Sequence, residues 1–208
     1  YNTTMVSEKP DSWSAMWDPK YSGEILTFNN SRDAFGVAQY LLGYDVNSTN
    51  PDEWRAAEEK LKEQKPLIQS YVMDEVFNKM EAGEAAMAPY YAGDYLTMKQ
   101  ENDDLAFVYP KEGTNKFVDV MCIPSSSENK KAAELFINYM CEPEVALHNA
   151  NYLGYLCPVT AVLSDDRYEY KDNEVLYPKQ EVKTQFFHNL DQDTLDLLSK
   201  LWEDLKLA

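Results

Sequence analysis

The strongest constraint on the fold is a repeated order of strand, polar turn and helix. Residues 23–28 (GEILTF) are rich in strand-forming side chains, and the following NNS at 29–31 has helix-capping chemistry. Residues 32–42 then place apolar side chains on one helical face, and Gly43 supplies a stop. This first unit predicts one strand followed by one amphipathic helix.

The same order recurs further along the chain. Asn50 and Pro51 are typical of a helix start, and Trp54, Ala57 and Leu61 recur at helical spacing until Pro66. Further strands are predicted at 70–73, 85–90 and 105–109, and further helices at 75–80 and 94–101. Such alternation favours an α/β sheet.

Residues 108–124 (VYPKEGTNKFVDVMCIP) are predicted to form a strand, a tight turn and a second strand. Phe117 and Asp119 would share one face of the second strand, because strand side chains alternate. Asp119 between Val118 and Val120 is unexpected, since an unpaired buried carboxylate costs several kcal/mol. We therefore expect Asp119 to face water or a partner.

The remaining segments are mostly helical by pattern. Residues 129–141 form a strongly amphipathic stretch, a second helix starts at 142–144, and 194–205 carry an apolar stripe that predicts a docked helix. Residues 160–177 are predicted to be mostly loop. Residues 1–6 (YNTTMV) resemble the second half of a strand whose beginning lies outside this sequence.

Charge and motifs exclude several functional classes. With 36 acidic and 19 basic side chains the net charge is −17, which disfavours nucleic acid as a partner and favours a cation. No apolar run reaches the ~18–20 residues needed to span a bilayer.

Nucleotide-binding, hydrolase and metal-binding motifs are absent, so no cofactor and no metal are predicted. Cys122, Cys141 and Cys157 show no zinc spacing, and buried free thiols are favoured over one Cys141–Cys157 bridge.

Two positions after predicted strands could hold a ligand. Asp33 lies in the first turn of a predicted helix, where it could cap the helix or face the crevice in which α/β sheets bind ligands. Tyr90 and Tyr91 occupy the equivalent turn one unit later, and each could equally be a core residue. His148 is predicted to be an ordinary surface or half-buried residue.

Several blocks in order resemble the spermidine/putrescine-binding proteins of polyamine ABC importers. They are SWSAMWDPKYSGEILTF at 12–28, LGYDVNSTNPDEWRAA at 42–57, VYPKEG…VDVMCIP within 108–124, and LGYLCP at 153–158. The resemblance implies a periplasmic-binding-protein-like (type II) two-lobe α/β fold. It further implies that 1–6 end a hinge crossing strand, that 7–115 and 166–208 build a complete C-terminal lobe, and that 116–165 are part of an N-terminal lobe. About half of that N-terminal lobe would then lie outside this sequence.

The resemblance also implies a ligand site without catalysis. Carboxylates would pair with ammonium groups, and aromatic rings would pack against the methylenes of a polyamine. The positions that match are Asn30, Asp33, Tyr91, Phe117, Asp119, Tyr155 and, less closely, His188. The implied partners are a permease and an ATPase, on the periplasmic or extracellular face of the cytoplasmic membrane, with a lipid anchor or a fused membrane subunit in the full-length protein.

Two other functions remain open from the residues. A binding protein for another cationic or zwitterionic solute is suggested because Asn30 replaces a carboxylate of the family. A hydrolase using Asp33 and Asp119 as a carboxylate pair is a remote alternative. Residues 116–165 are also expected to keep helices but lack sheet partners, which would expose apolar surface and allow non-native self-association.

Overall fold

The computed structural model describes residues 1–207, which form two compact units. Unit 1 comprises residues 1–91, 98–117 and the chain from Glu181 onward, and unit 2 comprises residues 92–97 and 118–180. The correspondence between these units and the predicted lobes stays a prediction. The helices are α1 (Ser31–Leu42), α2 (Pro51–Gln64), α3 (Glu75–Glu81), α4 (Ala92–Glu101), α5 (Lys130–Met140), α6 (Pro143–Leu153), α7 (Thr160–Leu163) and α8 (Gln192–Leu207). The strands are β1 (Ile25–Phe28), β2 (Ile68–Val72), β3 (Thr114–Lys116) and β4 (Thr184–Phe186).

The first sheet of unit 1 pairs β1 with β2 in parallel. All four residues of β1 are buried, as expected for a strand covered on both faces. Met87 adds a single parallel bridge to Ile25. The predicted strand at 85–90 is therefore wrong beyond this one bridge, and Pro89 has no N–H group with which to extend a ladder.

Helix α1 begins and ends as its sequence predicts. The Asn30 side-chain oxygen accepts hydrogen bonds from the backbone N–H groups of Arg32 and Asp33. Gly43 closes the helix with φ of 75°, a left-handed conformation that other residues adopt only with strain. These caps fix where the β1–α1 turn ends and place Asp33 in the first helical turn.

The largest apolar core of unit 1 lies between α1, α2 and α8. Phe35, Trp54, Leu198 and Leu205 are all buried in it. Burying each such side chain contributes roughly 1.5–3 kcal/mol. The prediction that the final helix is docked is thus confirmed.

The stretch at 108–124 differs from its prediction. Only β3 forms, and it pairs in parallel with β4 rather than folding back as a hairpin. Residues 117–124 are not a strand, so the predicted shared strand face of Phe117 and Asp119 is wrong. The preceding turn is held by Glu112, which accepts hydrogen bonds from Ser12 Oγ and from the Trp13 backbone N–H.

The strands predicted at 1–6 and 105–109 form only one isolated β-bridge with each other. Asn2 pairs with Leu105 in antiparallel fashion, and Thr3–Met5 turn away. The strands predicted at 1–6 and 105–109 are therefore wrong. Pairing ends there because Met5 and Val6 bond back to the Asn2 carbonyl instead of to a neighbouring chain segment.

The regular secondary structure of unit 2 is entirely helical among its described residues. It contains the start of α4 and all of α5, α6 and α7, and none of its described residues lies in a strand. Ala146, Leu147, Ala150, Val162 and Tyr168 form its buried cluster. The prediction that residues 116–165 keep helices without sheet partners is wrong at Lys116, which pairs with Phe186 at the end of β3, and is confirmed for the residues after it.

Much of the apolar surface of unit 2 remains exposed. No residue of α5 is buried, and Leu135, Phe136 and Tyr139 are each more than half exposed. Cys122 and Cys141 are free and exposed, so the expectation that these thiols are buried is wrong. Within residues 1–207, no helix combines the length and the apolar character that crossing a bilayer requires.

Candidate functional site

The candidate site in unit 1 is built around Asp33. This side chain is only 9% exposed, because the first turn of α1 directs it into the unit rather than to solvent. Tyr91 Oη donates to its Oδ2 at 3.0 Å, and Asn115 Nδ2 donates to its Oδ1 at 3.4 Å. The two carboxyl oxygens are therefore oriented by neutral donors from two other segments of the chain.

Within residues 1–207, the Asp33 carboxylate forms no salt bridge with a basic side chain. Burial raises the pKa of its carboxyl above the usual range, while the hydrogen bond from Tyr91 and the charge of Arg32 oppose that rise. The Arg32 guanidinium donates instead to the Val46 carbonyl at 2.7 Å and to Asn47 Oδ1 at 2.9 Å. A cation placed beside Asp33 would offset the cost of burying its charge.

Aromatic rings pack around Tyr91, whose hydroxyl donates to this carboxylate. The Tyr91 ring lies 4.9 Å from the Tyr90 ring, 5.7 Å from the Phe28 ring and 5.3 Å from the Phe117 ring, centroid to centroid. Phe117 is 43% exposed. A carboxylate with aromatic rings nearby suits a cation that carries apolar carbon.

A small cavity of about 30 Å³ adjoins Asp33 within unit 1. Its polar side chains come from α1 and β3, and its aromatic walls come from several segments. It is lined by Trp13, Phe28, Asp33, Gly36, Val37, Tyr40, Tyr90, Tyr91, Thr114, Asn115 and Phe187. This volume accommodates a group of the size of one or two water molecules.

The structure places Asn30 and His188 near Asp33 in different ways. Asn30 is next to it at the N-terminus of α1, but the Asn30 side-chain oxygen is already used as the helix cap. The His188 side chain is exposed, and its backbone N–H donates to Asn47 Oδ1 at 2.7 Å. Unit 1 therefore brings together Asp33, Tyr91 and Phe117, with Asn30 and His188 at the margin.

In unit 2 the predicted ligand residues are Asp119 and Tyr155. Asp119 is exposed. Burial raises the pKa of the Tyr155 hydroxyl, and the carboxylates of Asp94 and Asp119 raise it further. The Tyr155 ring packs directly on Gly93, where a Cβ atom would lie 2.3 Å from it. Gly93 is thus required for the position of Tyr155.

The other residues considered in the sequence analysis form no further candidate site among the described residues. His148 is exposed on α6, as predicted. Within residues 1–207, no cluster of three or more His, Cys, Asp or Glu side chains is arranged to hold a metal ion. Cavity residues Tyr40 and Asn115 were missed by sequence reasoning, since Tyr40 fits the apolar face of α1 and Asn115 fits a turn.

Comparison with known proteins finds a matching protein family. The family of bacterial extracellular solute-binding proteins matches residues 1–176. The spermidine/putrescine-binding periplasmic protein of Escherichia coli is 32% identical over 170 residues, which is 82% of this chain and 49% of that protein. The putrescine/cadaverine-binding protein of Pseudomonas aeruginosa is 25% identical over 222 residues, covering 100% of this chain and 63% of that protein.

Solved structures agree with these relatives. The spermidine/putrescine ABC transporter substrate-binding protein of Streptococcus pneumoniae superposes with a TM-score of 0.84 at 31% identity, covering 100% of this chain and 65% of that one. The predicted α/β, periplasmic-binding-protein-like (type II) fold class is confirmed. The chain spans about half the length of the curated Escherichia coli relative that it matches. These relatives are named as binding proteins, which confirms the prediction that the chain is not an enzyme.

Proposed function

Because the chain belongs to the family of bacterial extracellular solute-binding proteins, we propose that it is part of the solute-binding component of an ABC importer for a polyamine. Spermidine and putrescine are the proposed ligands. The Escherichia coli relative is named as binding both, and the Pseudomonas aeruginosa relative is named as binding putrescine and cadaverine. The observation that carries the proposal is the buried Asp33 carboxylate, which has aromatic rings nearby and forms no salt bridge among residues 1–207.

The proposed ligand residues contribute two kinds of contact. In unit 1, Asp33 pairs with an ammonium group and the rings of Tyr91 and Phe117 contact methylenes. In unit 2, Asp119 supplies a second carboxylate and Tyr155 a second ring. Capture of the ligand in a cleft between two lobes stays part of this proposal.

Asn30 and His188 have weaker support as ligands. The Asn30 oxygen already accepts two backbone hydrogen bonds, so its contact with an ammonium group would compete with helix capping. His188 would contribute through its exposed imidazole, while its backbone stays anchored by Asn47. We propose both as peripheral contacts.

The proposal extends to partners and location. A permease and an ATPase subunit would receive the ligand on the outer side of the cytoplasmic membrane. A lipid anchor or a fused membrane subunit would hold the full-length protein there. Relatives named as periplasmic support the location, and that of Streptococcus pneumoniae is named as part of an ABC transporter.

Isothermal titration calorimetry on the full-length protein tests the ligand. We expect saturable heat with spermidine or putrescine. Asp119→Asn should weaken binding more than Asp33→Asn, and loss of one charged hydrogen bond corresponds to about 10- to 150-fold in Kd. Asp52→Asn in unit 1 and Asp172→Asn in unit 2 are matched controls, because both carboxylates are exposed outside the proposed site. No heat with either polyamine would refute the proposal.

A second candidate ligand is another cationic or zwitterionic solute. The cap role of Asn30 favours it, because that position supplies no charge to pair with a second ammonium group. Competition of a panel of amines and amino-acid derivatives against spermidine separates the two. Tighter binding of a monoamine than of either polyamine would replace the first proposal with this one.

A further inference from the structure

The side chain of Asn47 bridges two backbone positions of the segment 186–188. Its Nδ2 donates to the Phe186 carbonyl at 2.8 Å, and its Oδ1 accepts from the His188 backbone N–H at 2.7 Å. A residue of a neighbouring parallel strand makes the same pair of contacts, one donor and one acceptor to residues two apart. The Asn47 amide therefore takes the place of a strand partner at the point where β4 ends.

Arg32 supports the same segment from the first turn of α1. Its Nη2 donates to Asn47 Oδ1 at 2.9 Å, and its Nη1 donates to the Val46 carbonyl at 2.7 Å. The guanidinium carbon also lies 4.6 Å from the centroid of the Phe187 ring, within the range of a cation–π contact. Asn47 thus holds the backbone on both sides of Phe187, and Arg32 contacts the ring between them.

The segment 186–188 carries two groups of the candidate site. The Phe187 ring lines the cavity beside Asp33 and packs on α1, where a Cβ on Gly36 would lie 3.0 Å from its Cζ. His188, a proposed peripheral ligand contact, follows directly. Strand β4 is only three residues long, and residues 187–191 have no regular secondary structure. Such a segment depends on side-chain contacts to stay in place.

We propose that Asn47 is a positioning residue for ligand binding, because its amide holds 186–188 against the candidate site. The inference rests on the proposed function in assuming that this site binds the ligand. Asn47 does not itself line the cavity beside Asp33, so it acts through the segment that it holds. When binding requires the segment in place, the apparent affinity falls in proportion to the fraction of molecules in which the segment has moved away.

Unit 2 contains a matched control for this arrangement. The Asn151 Nδ2 donates to the Arg167 carbonyl at 2.9 Å, and its Oδ1 accepts from the Glu169 backbone N–H at 3.1 Å. The pattern is the same as that of Asn47, and both asparagines are half-buried. Residues 167–169 include none of the proposed ligand residues. Alanine at either position removes the same two hydrogen bonds, but only at position 47 does the released segment belong to the candidate site.

Asn47→Ala and Asn151→Ala are compared in the full-length protein by thermal unfolding and by calorimetric titration with spermidine and putrescine. Both variants should lower the thermal midpoint by similar amounts. Asn47→Ala should weaken polyamine binding about tenfold, as expected when the segment is in place in about one molecule in ten. Asn151→Ala should leave binding unchanged. Unchanged affinity in Asn47→Ala, or an equal loss in both variants, would overturn the inference.

Asn47→Asp is a more conservative variant that separates positioning from a general loss of stability. Its carboxylate still accepts from the His188 N–H and from Arg32, but it has no donor for the Phe186 carbonyl. Its affinity for polyamine should therefore lie between those of wild type and Asn47→Ala. An affinity no better than that of Asn47→Ala would count against the clamp formed by this amide.

Hydrogen exchange of the full-length protein reads out the segment without any ligand. Peptides that cover 186–188 should exchange faster in Asn47→Ala than in wild type or Asn151→Ala, because the His188 N–H has lost its acceptor. Exchange that does not change would refute the inference.

The calorimetric result distinguishes this inference from the proposed function. No heat with either polyamine in the wild-type protein would refute the proposed function and the role of Asn47 in binding together. Wild-type binding with unaltered affinity in Asn47→Ala would leave the proposed function standing and remove the inference alone.

Discussion

Helices α1 and α5 are nearly equal in length, at 12 and 11 residues, and both carry an apolar face. In unit 1, eight consecutive residues of α1, 33–40, are buried. In unit 2, no residue of α5 is buried. The two helices therefore have similar patterns and opposite environments.

The difference follows from what each unit offers for packing. Helix α1 packs against β1, α2 and α8, which together cover its apolar face. Unit 2 has no strand among its described residues, so α5 has no sheet to cover. Helical periodicity thus predicts which side chains share a face, while the presence of a partner element decides whether that face is buried.

The largest expected contrast is between Trp54 and Leu135. Trp54→Ala in α2 removes a fully buried ring whose Nε1 donates to the Ser48 carbonyl, and should lower the free energy of unfolding by about 3–5 kcal/mol. Leu135→Ala in α5 should change it by less than about 0.5 kcal/mol, because that side chain is 63% exposed. Urea denaturation followed by circular dichroism measures both. Comparable losses would show that α5 is covered in solution.

Two helix-ending glycines test whether local geometry is equally strict in both units. Gly43 ends α1 with φ of 75°, and Gly154 ends α6 with φ of 69°. Alanine at either position should cost about 1 kcal/mol from the left-handed backbone alone. Thermal unfolding of the two variants, one per unit, gives the comparison. A cost at Gly43 with none at Gly154 would indicate that the end of α6 rearranges freely.

The exposed apolar face of α5 predicts surface behaviour rather than stability. Phe136→Gln and Tyr139→Gln should each change the free energy of unfolding by less than about 0.5 kcal/mol, since both side chains are more than half exposed. The same changes should reduce binding of a hydrophobic dye and any concentration-dependent association. Sedimentation velocity and dye fluorescence measure these effects. A wild-type chain that stays monomeric at high concentration would contradict the predicted self-association.

The smallest expected effect is a pH dependence in unit 1. Burial raises the pKa of Asp33 in the folded chain, whereas in the unfolded chain it is about 3.9. The folded chain therefore binds more protons between these two pKa values, and stability falls as the pH rises through that window. Asp33→Asn removes this loss, so the unliganded variant should be more stable than wild type at neutral pH and equal to it below pH 3.9. Thermal midpoints across this pH range test the sign, and a less stable variant at neutral pH would contradict it.

Much of the fold was predictable from local sequence. The caps at Asn30 and Gly43, the helix start at Pro51 and the apolar stripe of α8 each depend on neighbouring residues, so the pattern predicted them. Strand predictions fared worse, because a strand requires a partner segment that the local sequence does not reveal. Residues 85–90 contribute one bridge, and 117–124 contribute no strand.

In the candidate site too, some residues could be predicted from local sequence and others could not. A carboxylate at a helix N-terminus was apparent at Asp33, and resemblance to a known family indicated Tyr91 and Phe117 as its neighbours. Asn115 and Tyr40 could not be found in this way. Their place in the cavity lining depends on the parallel pairing of β3 with β4 and on which side of α1 faces the cavity.

The sequence by itself determined the longer helices, the caps of α1, the acidic charge and the resemblance to polyamine-binding proteins, because these depend on residue type and short-range spacing. The tertiary structure decided that Asp33 is buried, that two neutral donors orient it, and that α1 and β3 both contribute to the cavity beside it. It also decided that α5 remains exposed while α1 is buried. Burial and hydrogen-bond pairing arise from segments distant in sequence, so only the folded chain specifies them.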